Sequence, residues 1–270
     1  MNVLISVDIE GISGVVSADA VTNTHHDYDR FRRLMTAEAN AAIEGALRGG
    51  AQSVIVSDAH GSMTNILIEE LNPAAELATG NPKPLSMMQG IGPEIAAVFL
   101  VGYHAAAGTQ AAVLDHTYSG GTVFQVSLNG RPVGEMGLNG ALAGSYGAPV
   151  KLVTGDRATT EEARLLFGAI ETVAVKDGVA RTAARCLHPR IAQERIRQAA
   201  QRALALSVPP LVVAPPLSIK VIFQRSAHAD MATLIPHSRR PDARTVEWTG
   251  DDMPTVYRTF RAMVALAMTV

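Results

Sequence analysis

The stretch Val3-Leu4-Ile5-Ser6-Val7-Asp8-Ile9-Glu10-Gly11 constrains this chain more than any other. The five residues before Asp8 carry no charge and include two Val and one Ile, the pattern of a central parallel strand covered on both faces. The strand ends on two acids. Alternate residues of an extended chain share a side, which puts Asp8 and Glu10 on one face, roughly 6 to 7 Å apart. Two carboxylates at a buried strand end repel and lose hydration, so either one keeps its proton or a cation lies between them. A metal is the simpler solution if nitrogen ligands arrive from elsewhere.

The next elements supply them. From about Arg30 to Arg48, apolar Phe31, Leu34, Met35, Ala39, Ala42, Ile43 and Ala46 recur at helical spacing, and Gly49-Gly50 stops the helix. Ser53 to Asp58 reads as a second strand, so residues 1–58 form a strand-helix-strand unit with parallel strands, and His60 follows directly. Ala96 to Gly102 is a third apolar strand, and its end carries Tyr103-His104. Ligands of open parallel sheets sit outside the carboxyl ends of the strands. Here three strands end in Asp8/Glu10, His60 and His104.

Val123 to Asn129 alternates as an exposed or antiparallel strand, Asn129-Gly130 is a hairpin turn, and the chain returns to Glu135 at the head of an Ala- and Gly-rich helix. Val150 to Thr154 is a fourth buried strand. Thr159 and Glu162 have capping-box spacing, so Asp156 is assigned to that helix start and not to chemistry. Further elements are expected as helices near 159–168, 189–206 and 252–270, and strands at 170–175, 217–224 and 244–249, without obvious ligands. The expected fold is α/β, with a mostly parallel sheet flanked by helices in a metal-binding catalytic lobe (1–156) and a smaller α/β lobe (157–270) for scaffold and oligomerisation.

A formal charge of −2 argues against a nucleic-acid partner. No apolar run approaches the roughly 18 to 20 residues of a membrane span, and Met1-Asn2 leads straight into a strand, so a cytoplasmic protein is expected. Cys186 is the only cysteine, which leaves His and carboxylate to hold any metal.

Asp8, Glu10, His60, His104 and Glu135 provide three carboxylates and two imidazoles, a set suited to zinc or a similar first-row ion. A single divalent ion would leave three acids net negative, whereas two ions at a spacing of about 3.5 to 4 Å match hydrolytic two-metal sites. Asp8, on the central strand, is the natural bridge. His116, in Leu114-Asp115-His116-Thr117, is an acid, a base or a loop hydrogen-bonder on its sequence context. His25, His26, His188, His228 and His237 are assigned structural or solvated places.

Ser6-Val7-Asp8-Ile9-Glu10-Gly11, Asp58-Ala59-His60-Gly61, Gly102-Tyr103-His104-Ala105, Leu114-Asp115-His116-Thr117 and Asn129-Gly130 through Gly134-Glu135, in this order, resemble the zinc-dependent D-aminopeptidases of the DppA type. The likeness is close over residues 1 to about 156 and looser beyond. It implies two zinc ions per subunit on Asp8, Glu10, His60, His104 and Glu135, a catalytic His116, short peptides or amino-acid amides with an N-terminal D-amino acid such as D-Ala as substrates, and a ring-like homo-oligomer, commonly a decamer. The rival readings are a metal-dependent phosphohydrolase using Asp8-x-Glu10 as nucleophile and acid, and a non-catalytic metal-binding assembly protein. The first leaves His60 and His104 without a role, and the second tolerates loss of His116.

Overall fold

The computed structural model describes all 270 residues apart from the side chain of Ala20. In chain order the elements are β1 (Asn2–Val7), α1 (Tyr28–Arg48), β2 (Ser53–Asp58), β3 (Ala75–Ala78), β4 (Ile95–Tyr103), β5 (Val123–Leu128), β6 (Arg131–Pro132), α2 (Glu135–Ser145), β7 (Val150–Asp156), α3 (Arg157–Phe167), β8 (Glu171–Ala180), β9 (Ala183–Cys186), α4 (Pro189–Ala203), β10 (Leu217–Phe223), α5 (Ser226–Ala232), β11 (Thr245–Gly250) and α6 (Met253–Ala267).

Seven strands form one sheet in the order β3-β2-β1-β4-β7-β8-β9. All neighbours run parallel except β8 and β9. The chain winds outwards from β1 through β2 to β3 on one side, and from β4 through β7 to β8 on the other. The order therefore reverses between β1 and β4, the switch point where open parallel sheets bind their ligands. β1 and β4 are buried on both faces, which is why they read as unbroken apolar runs. On one face, α1 and α4 cover Val3, Ile5, Val7, Phe99 and Val101. On the other, Leu4, Val98 and Leu100 join α2, α6 and a four-stranded antiparallel sheet, β11-β10-β5-β6, in a second core.

Both sheets draw on either side of residue 156. β8 and β9 extend the sheet begun by β1, and β5 and β6 pair with the late-sequence pair β10 and β11. The expected lobe boundary thus falls inside the main sheet, between β7 and the α3 that directly follows it. Two short edge strands, β3 and β9, are additions to the expected set.

Asp156 caps α3, its Oδ1 accepting from the Thr159 N–H at 2.7 Å and the Thr159 hydroxyl at 2.8 Å. Glu162 does not close a capping box; its carboxylate accepts from the Ala106 N–H at 2.9 Å instead and ties α3 to the segment after β4. His188 caps α4, with Nδ1 accepting from the Arg190 N–H at 3.2 Å.

The exits of β1 and β4 are pressed together. A Cβ on Gly11 would lie 2.0 Å from the Tyr103 carbonyl oxygen, and one on Gly102, whose φ is +68°, would lie 2.3 Å from that of Asp8. No side chain fits at Gly11 without prising the strand ends apart. Gly11→Ala is expected to lower the melting temperature by roughly 5 to 15 °C, measured by thermal unfolding.

Candidate metal centre

The β1, β2 and β4 exits converge with the head of α2. Asp8 and Glu10 follow β1, His60 follows β2, His104 follows β4, and Glu135 opens α2; all but His60 are buried almost completely, and His60 largely so. The Asp8 carboxylate lies between two imidazoles, Oδ1 being 3.4 Å from His60 Nδ1 and Oδ2 3.6 Å from His104 Nε2. Each imidazole has its own second acid: Glu10 Oε1 lies 3.1 Å from His60 Nδ1, and Glu135 Oε1 lies 3.3 Å from His104 Nε2. The five predicted ligands therefore form two half-sites, His60 with Glu10 and His104 with Glu135, sharing Asp8.

The ring nitrogens facing away are tied to backbone carbonyls, which only accept and so fix those nitrogens as donors. His60 Nε2 donates to Val21 O at 3.0 Å, and His104 Nδ1 to Ala105 O at 3.0 Å. His116 Nδ1 donates to Leu114 O at 2.8 Å. The inward nitrogen of each ring is then the one that would ligate a metal, the outer-shell arrangement that orients metal-binding histidines. His104 Nε2 is buried and, among the described residues, has no hydrogen-bond partner. A buried imidazole nitrogen without a partner amid carboxylates belongs to a donor set that zinc satisfies.

Burial and the adjacent Glu10 push the Asp8 carboxyl up to about 8. Burial also opposes ionisation of Glu10 and Glu135, but the His60 and His104 imidazoles respectively outweigh it and hold both acids low. Burial opposes protonation of His104, yet Glu135 outweighs it and raises the imidazole to about 10. The cluster thus keeps protons on Asp8, His60 and His104 where a cation would otherwise balance the acids, as two adjacent strand-end carboxylates require.

His116 joins the cluster from the loop after β4. Its ring stacks on His104 with centroids 4.0 Å apart and an interplanar angle of 14°. Its Nε2 is 3.8 Å from Glu135 Oε1 and 4.0 Å from Glu10 Oε1. Burial and the neighbouring His104 lower its pKa. Two non-glycine residues of positive φ, Leu114 at 54° and Tyr118 at 61°, flank it, the kind of strained backbone that persists where the surroundings hold it. Asp115 supplies part of that hold by accepting from the Gly108 N–H at 2.7 Å and pairing with Arg181 at 3.1 Å.

Two contributors come from the half expected to be scaffold. Lys176 on β8 is buried, and its ammonium donates to the carbonyls of Glu10, Ile12 at 3.0 Å and Val15 at 2.5 Å. Burial pushes it down to about 8, with Asp156 acting in the opposite sense. It gathers the turn behind Glu10 around one fixed cation. The second is α6, which walls a cavity of about 420 Å³ lined by Asp8, His60, Met87, His116, Tyr118 and Arg261 among others. Tyr118 OH meets Tyr257 OH at 2.5 Å, Tyr257 OH donates to Asn139 at 2.8 Å, Asn139 donates to Tyr103 OH at 2.9 Å, and Tyr103 OH meets Ser6 Oγ at 2.6 Å. This chain of polar side chains links α6 to β1.

His25, His26 and Asp27 form a separate, largely exposed group; His25 Nδ1 accepts from the Asp27 N–H at 3.2 Å. His228 is held by Arg225 at 2.7 Å. Neither group enters the cavity lining.

A family model described as D-aminopeptidase matches residues 1–262. A D-aminopeptidase of Bacillus subtilis (strain 168) is 36% identical over 271 residues, spanning 99% of this chain and 98% of that protein. The solved structure of the zinc-dependent D-aminopeptidase DppA from Bacillus subtilis, described as a self-compartmentalizing protease, superposes with a TM-score of 0.97 at 35% identity, covering 100% of this chain and 99% of that one.

Proposed function

Since the chain belongs to the D-aminopeptidase family, we propose that it removes the N-terminal D-amino acid, such as D-Ala, from short peptides, using two zinc ions held by Asp8, Glu10, His60, His104 and Glu135. It is a zinc metallopeptidase by that kinship. The observation that carries the two-ion reading is the pair of half-sites on either side of Asp8, each with one inward imidazole nitrogen and one carboxylate of its own.

Bound zinc supplies Lewis-acid polarisation of a carbonyl and acidifies water. The chain's own groups do the rest. His116 Nε2 takes a proton from the attacking water, whose oxygen bonds to the scissile carbonyl carbon; as the C–N bond breaks, that proton passes to the leaving amine. The Nδ1–H bond to Leu114 O holds the ring in the tautomer this transfer needs. Tyr118 N–H, donating to Glu135 Oε1 at 2.6 Å, fixes the carboxylate beside it.

Protein purified without chelator is expected to contain close to two zinc ions per chain by metal analysis and to hydrolyse D-aminoacyl amides or dipeptides, with activity lost on chelation and recovered with zinc. A content near one, or a matching preference for the L series, removes the two-ion or the stereochemical part of this reading respectively. We also infer a homo-oligomer, a decamer by family resemblance. Exposed Leu165 and Val212 beside one surface groove offer apolar area for such contacts. No described helix is long and apolar enough to cross a membrane.

A further inference from the structure

One cation on the cavity wall takes no part in the metal cluster. Arg261 lines the same cavity as Asp8, Glu10 and Glu135. Among the described residues no carboxylate lies within 4.0 Å of it and it makes no hydrogen bond. Its guanidinium instead rests over the Tyr118 ring, 4.6 Å from the centroid. By contrast Arg197 pairs with Glu44 at 2.6 Å and Arg202 with Glu171 at 2.8 Å. A guanidinium stacked on an aromatic face keeps its forked donors free for a planar anion.

The position is built. Tyr257, Arg261, Ala265 and Met268 recur at spacings that place them on one face of the α6 segment, and the last three line the cavity. Ala265 leaves room beside the guanidinium. The Tyr118 ring beneath is anchored at its hydroxyl by Tyr257 at 2.5 Å, and its N–H holds Glu135 at 2.6 Å. One residue therefore connects the cation to the acid cluster. The cavity thus holds the acid-imidazole cluster and, on its α6 wall, a guanidinium with free donors, which a short peptide would meet with its scissile bond at the cluster and its carboxylate at Arg261.

We propose that Arg261 binds the C-terminal carboxylate of the substrate and so makes the enzyme selective for short peptides with a free carboxylate over their amides. This rests on the aminopeptidase reading and adds the substrate's far end to it. A bidentate guanidinium-carboxylate contact corresponds to a preference of about 10- to 100-fold.

The test compares kcat and KM for D-Ala-D-Ala and for its C-terminal amide, using zinc-loaded wild type, Arg261→Gln and Arg261→Lys, with zinc content and circular dichroism recorded for each. Wild type is expected to favour the free acid by about 10- to 100-fold in kcat/KM, mainly through KM. In Arg261→Gln the ratio falls to near one, and Arg261→Lys restores part of it, which a merely structural role for the side chain does not produce. A wild-type ratio near one overturns the proposal whatever the variants do. So does an unchanged ratio in folded Arg261→Gln. If that variant does not fold, Arg261→Met, which keeps the apolar stem over Tyr118, gives the same decision. Hydrolysis of neither substrate by wild type refutes the aminopeptidase reading and this inference with it, whereas equal hydrolysis of both refutes only the carboxylate subsite.

Discussion

Asp8→Ala is expected to leave the protein with almost no zinc and to cut kcat/KM by on the order of 10³-fold or more, because several kcal/mol of transition-state stabilisation depend on the metal. Glu10→Ala and His104→Ala are each expected to empty chiefly one position. The asymmetry follows from geometry: Asp8 Oδ1 faces His60 and Oδ2 faces His104, while Glu10 and Glu135 each sit closest to one imidazole. Metal analysis after dialysis against a graded chelator series reads the outcome directly. Equal zinc loss in all three variants would remove Asp8 from its place as the bridge. Gly11 is the control for distortion, since its substitution moves the same strand end without deleting a ligand.

His116→Ala is expected to retain near-normal zinc and fold while kcat falls by roughly 10²- to 10⁴-fold, the range for a lost general acid or base. The ring is held by stacking on His104 and by the Leu114 carbonyl, and its Nε2 stands off both nearest carboxylates by 3.8 to 4.0 Å. That is farther than the imidazole-acid contacts of 3.1 and 3.3 Å at His60 and His104. Zinc content and kcat must come from one preparation. Loss of an ion would make His116 a metal ligand, since His104, His116 and Glu135 present atoms within 4.8 Å of one another. Full activity would make it structural.

How much of this was legible in the sequence depended on the range of the interactions. β1, β2 and β4 announce themselves because strands covered on both faces are apolar throughout. The chain direction then places Asp8, His60 and His104 at equivalent ends without any knowledge of contacts. The edge strands β3 and β9 are only four residues each and mix exposed with half-buried positions, so no period distinguishes them from loop. Lys176 and Arg261 escaped for another reason. A lysine in a strand ordinarily marks the solvent face, and only the three carbonyls brought by residues 161 to 166 positions away make it an interior cation. Arg261 sits in a helix whose amphipathic pattern reads as packing, and its meaning depends on Tyr118 in a distant loop. The division at residue 156 followed the distribution of ligands, whereas strand pairing joins both halves into each sheet.

The hydrogen-bonded chain from Ser6 to Tyr257 also orders events in time. A polypeptide emerges from the ribosome with its first strands leading, so every proposed zinc ligand has been synthesised once Glu135 is in place. Tyr257, which steadies the Tyr118 ring, comes 139 residues after it. Until α6 is made, the acids have no opposite wall, the ring has no anchor at its hydroxyl and the cavity has no cation. Ligands early and enclosure late make a complete pocket a property of the finished chain, separating the time at which metal residues first exist from the time at which a peptide has somewhere to lie.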